Sequence, residues 1–215
     1  MNADSYPIVD PRHANRGAGA PPEIGKLGMW VFLGTEVLFF GGLMLSYLYG
    51  RTHWPGGFAA AGRHTHVWIG TINTAVLLTS SALIALAGAT SECMPMRRWT
   101  PRLLWLTALF GLGFLVLKGI EYDKEVHEQL FPQAGFALSE TGAELFFWLY
   151  WLMTAIHALH LAIGVGAVSL FAWATGRQRR WADSHRIEVL ALYWHFVDVV
   201  WIFLYPLLYL IDRHS

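Results

Sequence analysis

Five runs of apolar residues, each about as long as a bilayer is thick, dominate this chain. They cover about residues 27–50, 67–89, 103–122, 144–175 and 188–211. A spanning helix needs roughly 20 such residues. Continuous blocks rather than amphipathic stripes indicate membrane helices, whereas barrel strands alternate over short segments. The sequence therefore predicts an all-α polytopic membrane protein, a bundle of five transmembrane helices in one domain over 27–215. The fourth run exceeds the required length and should tilt or project beyond the membrane. Composition agrees: 55% of the 215 residues are hydrophobic and 14% charged, against about 25% charged in a soluble domain. No internal repeat stands out.

Residues 1–26 form a polar tail with Pro, Gly and Arg. The tail lacks the apolar core of a signal peptide, so it is expected to stay attached. The formal net charge is zero, which suggests neither nucleic acid nor an acidic substrate as partner. The single cysteine, Cys93, falls in a loop and can form neither an internal disulfide nor a cysteine metal site.

Basic residues orient the bundle. Arg12, Arg16, Lys26, Arg97, Arg98, Arg102, Arg177, Arg179, Arg180 and Arg186 fall on one side, against Arg51, Arg63, Lys118, Lys124 and Arg213 on the other. The positive-inside rule then puts the N-terminus in the cytoplasm and the C-terminus outside.

Ionisable residues sit inside the apolar runs. "LYWHFVDVVWIFLYPLLYL" carries His195 and Asp198 three positions apart, hence on one helix face. "GKLGMWVFLGTEVLFFGG" carries Glu36, and "HALH" contributes His157 and His160. All five should lie near mid-membrane, facing protein or water. A proton relay or ligand set is one reading; a neutral hydrogen-bonded network that locks helix register is the other. A bis-histidine haem would need His195 with His157 or His160, since the last two share a face. A copper or iron site lacks diagnostic spacing. In "LKGIEYDKE", Lys118 and Glu121 predict an ion pair near the membrane interface, with Lys118 snorkelling outward. His53, His64 and His66 read as solvated loop residues. Asn73, Thr74, Thr79, Ser80 and Ser81 offer interhelical hydrogen bonds, and Ala158, Ala162 and Gly166 form a small-residue stripe. No Walker loop, GxSxG, HExxH or CxxC occurs. A transporter would more often show broken helices and repeats.

From Lys26 to Tyr209 the chain resembles subunit III of haem-copper terminal oxidases. "YWHFVDVVWIFLYPLLY" is similar to that family's terminal-helix signature, and "LGMWVFLGTEVLFFGG" to its helix with a buried glutamate. "INTAVLLTSS", "LKGIEY" and "HALHLAIG" follow the family's motifs in order. The resemblance implies a non-catalytic subunit with no active site of its own. Such a subunit packs on subunit I, within a complex with subunits I and II of a bacterial cytoplasmic (inner) membrane. The resemblance further implies that haems and copper reside in the partner subunits and that this chain binds none. It also implies lipid binding, stabilisation of the enzyme during turnover and support of proton uptake. Glu36, the pair His157 and His160, Glu121, and His195 with Asp198 take the positions of the family's polar motifs. Arg177 takes that of a basic end that can meet a phospholipid headgroup. Many members have seven helices, the first two forming a wall of a lipid-filled cleft; the match here begins at the third. Five-helix members also serve quinol oxidases and accompany nitric oxide reductases, so the electron donor stays open.

Overall fold

Each apolar run lies along a helix that extends past the run at one end or both. The computed structural model describes residues 22–210, apart from Met94, residues 133–137, Ser139, Arg180 and the side chains of residues 22–24. Most of the expected polar tail, including Arg12 and Arg16, lies outside the described residues, as do Arg180, Ile211 and Arg213. The helices are α1 (Pro22–His53), α2 (Pro55–Arg63), α3 (Val67–Glu92), α4 (Thr100–His127), α5 (Ala143–Gly176) and α6 (Ser184–Tyr205). A 3₁₀ turn (Arg97–Trp99) leads into α4, and a π-helical turn (Pro206–Leu210) prolongs α6. All but α2 are long and apolar enough to cross a membrane, and no strand occurs among the described residues.

Helix α3 packs along α4 and α6, and α5 along the other sides of α4 and α6, so these four close a bundle. Helix α1 leans only on α2, α5 and α6 and keeps one broad face open, with Leu38, Val37 and Leu45 exposed. An apolar face turned to hydrocarbon costs nothing in a membrane, so burial alone cannot hold such a bundle together. Close packing and interhelical hydrogen bonds must do it. The largest fully buried side chains are mostly aromatic: Trp194, Trp201, Tyr47, Tyr150, Tyr209, Phe58 and Phe114. The Trp194 ring wedges between α4 and α5 because position 111 is glycine; a Cβ there would stand 2.6 Å from the ring. The indole N–H of Trp194 donates to Ser80 Oγ at 3.1 Å, and that of Trp201 to Thr74 Oγ1 at 3.0 Å. The hydroxyls of Thr71 and Tyr205 meet at 2.6 Å. Helices α3 and α6 are thus stapled at several levels.

Two expectations change. The stretch after the first run is helical: Pro55 occupies the first turn of α2, where its missing N–H costs nothing. Helix α2 rests on the start of α5, where a Cβ on Gly57 would lie 2.3 Å from the Thr141 carbonyl. Gly142, with φ +94°, turns the chain into α5 directly against Trp54. The Ala158, Ala162, Gly166 stripe does not bring helices of this chain together. Ala162 and Gly166 are exposed, and nothing lies within 4 Å of where a Gly166 Cβ would stand. The small residue that admits a neighbour on α5 is Gly164, beneath Trp194 and Tyr193.

Candidate functional site

Three polar clusters occupy the bundle. The largest lies where α4, α5 and the terminal π turn meet. Lys118 and Glu121 pair at 3.0 Å, as their spacing predicts. Their surroundings differ from the expectation: Lys118 is 2% exposed and Glu121 0%, so the lysine does not snorkel outward. Its ammonium also donates to Tyr150 and Tyr209 hydroxyls, both at 2.7 Å. It sits over the rings of Tyr150, Tyr122 and Tyr209 at 4.5, 4.9 and 5.4 Å, where ring quadrupoles add to the attraction. Tyr150 donates to Oε1 of Glu125, one turn beyond Glu121 and equally buried. Tyr122 and Thr154 hydroxyls close the cluster at 2.6 Å.

The second cluster is Glu36 with His160. Nε2 of His160 stands 3.3 Å from Glu36 Oε2, bridging α1 and α5. Thr35, the one polar neighbour of Glu36 in its helix, instead donates to its own Phe32 carbonyl. Nδ1 of His160 lies 2.9 Å from the Ile156 carbonyl, which leaves Nε2 for the carboxyl. The pair is 16% and 18% exposed, so it sits near the edge of the bundle, not its centre. His157 shares a helix face with His160 yet faces elsewhere. Its ring is enclosed by Phe114 and Trp201, with centroids 5.6 and 5.0 Å away, and neither nitrogen has a hydrogen-bond partner among the described residues.

The third cluster joins α3 and α6. His195 Nδ1 bonds Ser81 Oγ at 2.7 Å. Asp198 lies beside the same hydroxyl, but neither of its buried oxygens has a hydrogen-bond partner among the described residues. His195 and Asp198 share a helix face but do not bond each other; His195 looks across the helix interface to Ser81, not along its own helix. Asn73 is buried nearby in α3, with both amide atoms likewise unpartnered.

The three intramembrane histidines thus face separate neighbours: Glu36 for His160, Ser81 for His195, and Phe114 with Trp201 for His157. Among the described residues no group of three or more His, Cys, Asp or Glu side chains converges as a metal site would need. Arg177, just past α5, stacks over the Trp173 ring at 4.5 Å. A groove of about 480 Å³ opens nearby between α1, α5 and α6. Met29, Ile163, Ala167 and Phe171 line it, with Arg186 and His185 among its polar residues. The sequence pointed to Lys118, Glu121 and the interhelical bond of Ser81, but not to Glu125, Tyr150 or Tyr209. Glu125 falls three residues past the apolar run in α4, and the two tyrosines have hydroxyls whose partners sit on other helices.

These observations define a multi-pass helical membrane protein whose intramembrane polar groups bind one another across helices. Residues 22–212 match the cytochrome c oxidase subunit III family, and the chain belongs to it. It is 34% identical over 200 residues to cytochrome c oxidase subunit 3 of Thermostichus vulcanus, covering 89% of this chain and 90% of the relative. It is 31% identical over 218 residues to quinol oxidase subunit 3 of Bacillus subtilis, covering 92% and 96%. A probable quinol oxidase subunit 3 of Staphylococcus haemolyticus is 28% identical over 194 residues, covering 88% and 90%. The protein is therefore a subunit III of a respiratory terminal oxidase, part of a multi-subunit complex.

Proposed function

We propose that this chain is the non-catalytic subunit III of a proton-pumping cytochrome c oxidase in a bacterial inner membrane, with its N-terminus in the cytoplasm. It packs on subunit I, in a complex that also contains subunit II, stabilises subunit I during turnover and supports its proton uptake. The haems and copper reside in the partner subunits, and this chain binds no redox group of its own. The observation that carries this reading is the Glu36–His160 pair. It lies roughly halfway along α1 and is partly exposed at the edge of the bundle. Ionisable groups at that depth belong against protein or water, not lipid tails. A neighbouring subunit supplies such a surface, and a carboxyl–imidazole pair there can pass protons to it. A phospholipid fits the same reading: acyl chains fill the groove between α1, α5 and α6, and its headgroup meets Arg186 at the mouth or Arg177 beside it. A quinol oxidase is the second reading, favoured by the similarity to the Bacillus subtilis subunit.

The test is the purified oxidase carrying Glu36→Gln in this chain. The subunit is expected to remain bound, while the enzyme turns over more slowly or inactivates after fewer turnovers. Unchanged turnover and lifetime would leave the pair as packing. An oxidase lacking this chain altogether and equally fast and durable would contradict the stabilising role.

A further inference from the structure

The polar cluster at the end of α4 holds one more acid than base. Lys118 has three N–H donors, and Glu121, Tyr150 and Tyr209 take all three. That arrangement fits an ammonium with no capacity left. Its counter-ion is Glu121, 3.0 Å away. Glu125 is the second carboxyl: Tyr150 donates to Oε1, while Oε2 is buried with no hydrogen-bond partner among the described residues. The titratable and charged groups facing it are Lys118, Glu121 and Tyr122 from its own helix, Tyr150 from α5 and Tyr209 from the π turn. Glu128 lies just past the helix end. Of these only Lys118 is a cation.

One ammonium neutralises one carboxylate. A second carboxylate, 0% exposed, would leave a net buried charge, which is far costlier than a neutral carboxylic acid in the same place. The unpartnered Oε2 is the atom with room for a proton. From this geometry we infer that Lys118, Glu121 and Glu125 form a buried proton-binding site that holds one excess proton on Glu125. The site is distinct from the Glu36–His160 pair and stands whether or not the proposed role of that pair holds. Glu125 lies within one turn of the end of α4, so protons exchange with the side of the membrane where that helix ends.

The charge balance makes the proposal countable. The full chain, reconstituted in lipid bilayers, is examined by infrared spectroscopy for carboxylic-acid carbonyl bands that shift in deuterated water. Glu125→Gln should remove one such band. Glu121→Gln should also remove one, because the remaining carboxylate then pairs with Lys118. Lys118→Gln should add one. Circular dichroism on each variant confirms that it is folded. An unchanged set of bands in Glu125→Gln would overturn the site. A band lost in Glu125→Gln but kept in folded Glu121→Gln would show a proton held by Glu125 alone, and would overturn the shared charge balance.

Discussion

At the scale of single residues, Asp198 sits inside an apolar helix without pairing with the nearest base on its own face. Asp198 is 3% exposed, and the histidine one turn before it is held by Ser81 on another helix. The spacing of His195 and Asp198 correctly places them on one face, but a shared face does not choose partners; α3 decides that. Asp198→Asn keeps the shape and removes the ionisable group, so oxidase turnover should be unchanged; abolished activity in an intact complex would require a direct proton role. The indole staples make a second prediction. Ser80→Ala removes the acceptor of the Trp194 indole with little change of volume, and interhelical bonds in membranes contribute on average ~0.6 and at most ~1.7 kcal/mol. A loss in that range, read by denaturant titration in mixed micelles, is expected, with α3 and α6 still paired through Trp201 and Tyr205.

At the scale of elements, the apolar runs locate the spanning helices but stop short of their ends. The third run ends at about residue 122, whereas α4 continues to His127. Hydropathy marks the segment that matches hydrocarbon, while helical hydrogen bonding continues through the polar interface. That overrun carries Glu125, which is why the sequence showed an ion pair where the structure holds a larger polar cluster. Helix α2 escaped notice for a related reason: nine residues, most of them Gly or Ala, give no spanning signal, and its seat is tertiary. Gly142→Ala tests that seat. Its left-handed φ costs a non-glycine residue about 1–2 kcal/mol, and the added Cβ would stand 2.4 Å from Trp54 Cβ. The variant should melt lower than wild type by thermal denaturation in detergent; an equal melting temperature would mean that α2 moves off α5 without cost.

At the scale of the whole molecule, the five-span bundle was legible because block length is a one-dimensional property. The openness of α1 was not, since every run is apolar and only packing tells which faces meet protein. Orientation can be read from Cys93, exposed between α3 and α4 on the side of the proposed cytoplasmic loops. A membrane-impermeant thiol reagent should label it in inverted vesicles and leave it untouched in intact spheroplasts; the reverse pattern would invert the topology. The central claim is that the histidines and acids of this chain serve helix contacts and protons, not electrons. A reduced-minus-oxidised absorbance spectrum of the chain purified alone, and then in its native complex, tests it most directly. The account predicts a featureless spectrum for the isolated chain and haem bands only from the complex. Haem bands from the isolated chain would make its histidines ligands and contradict the account.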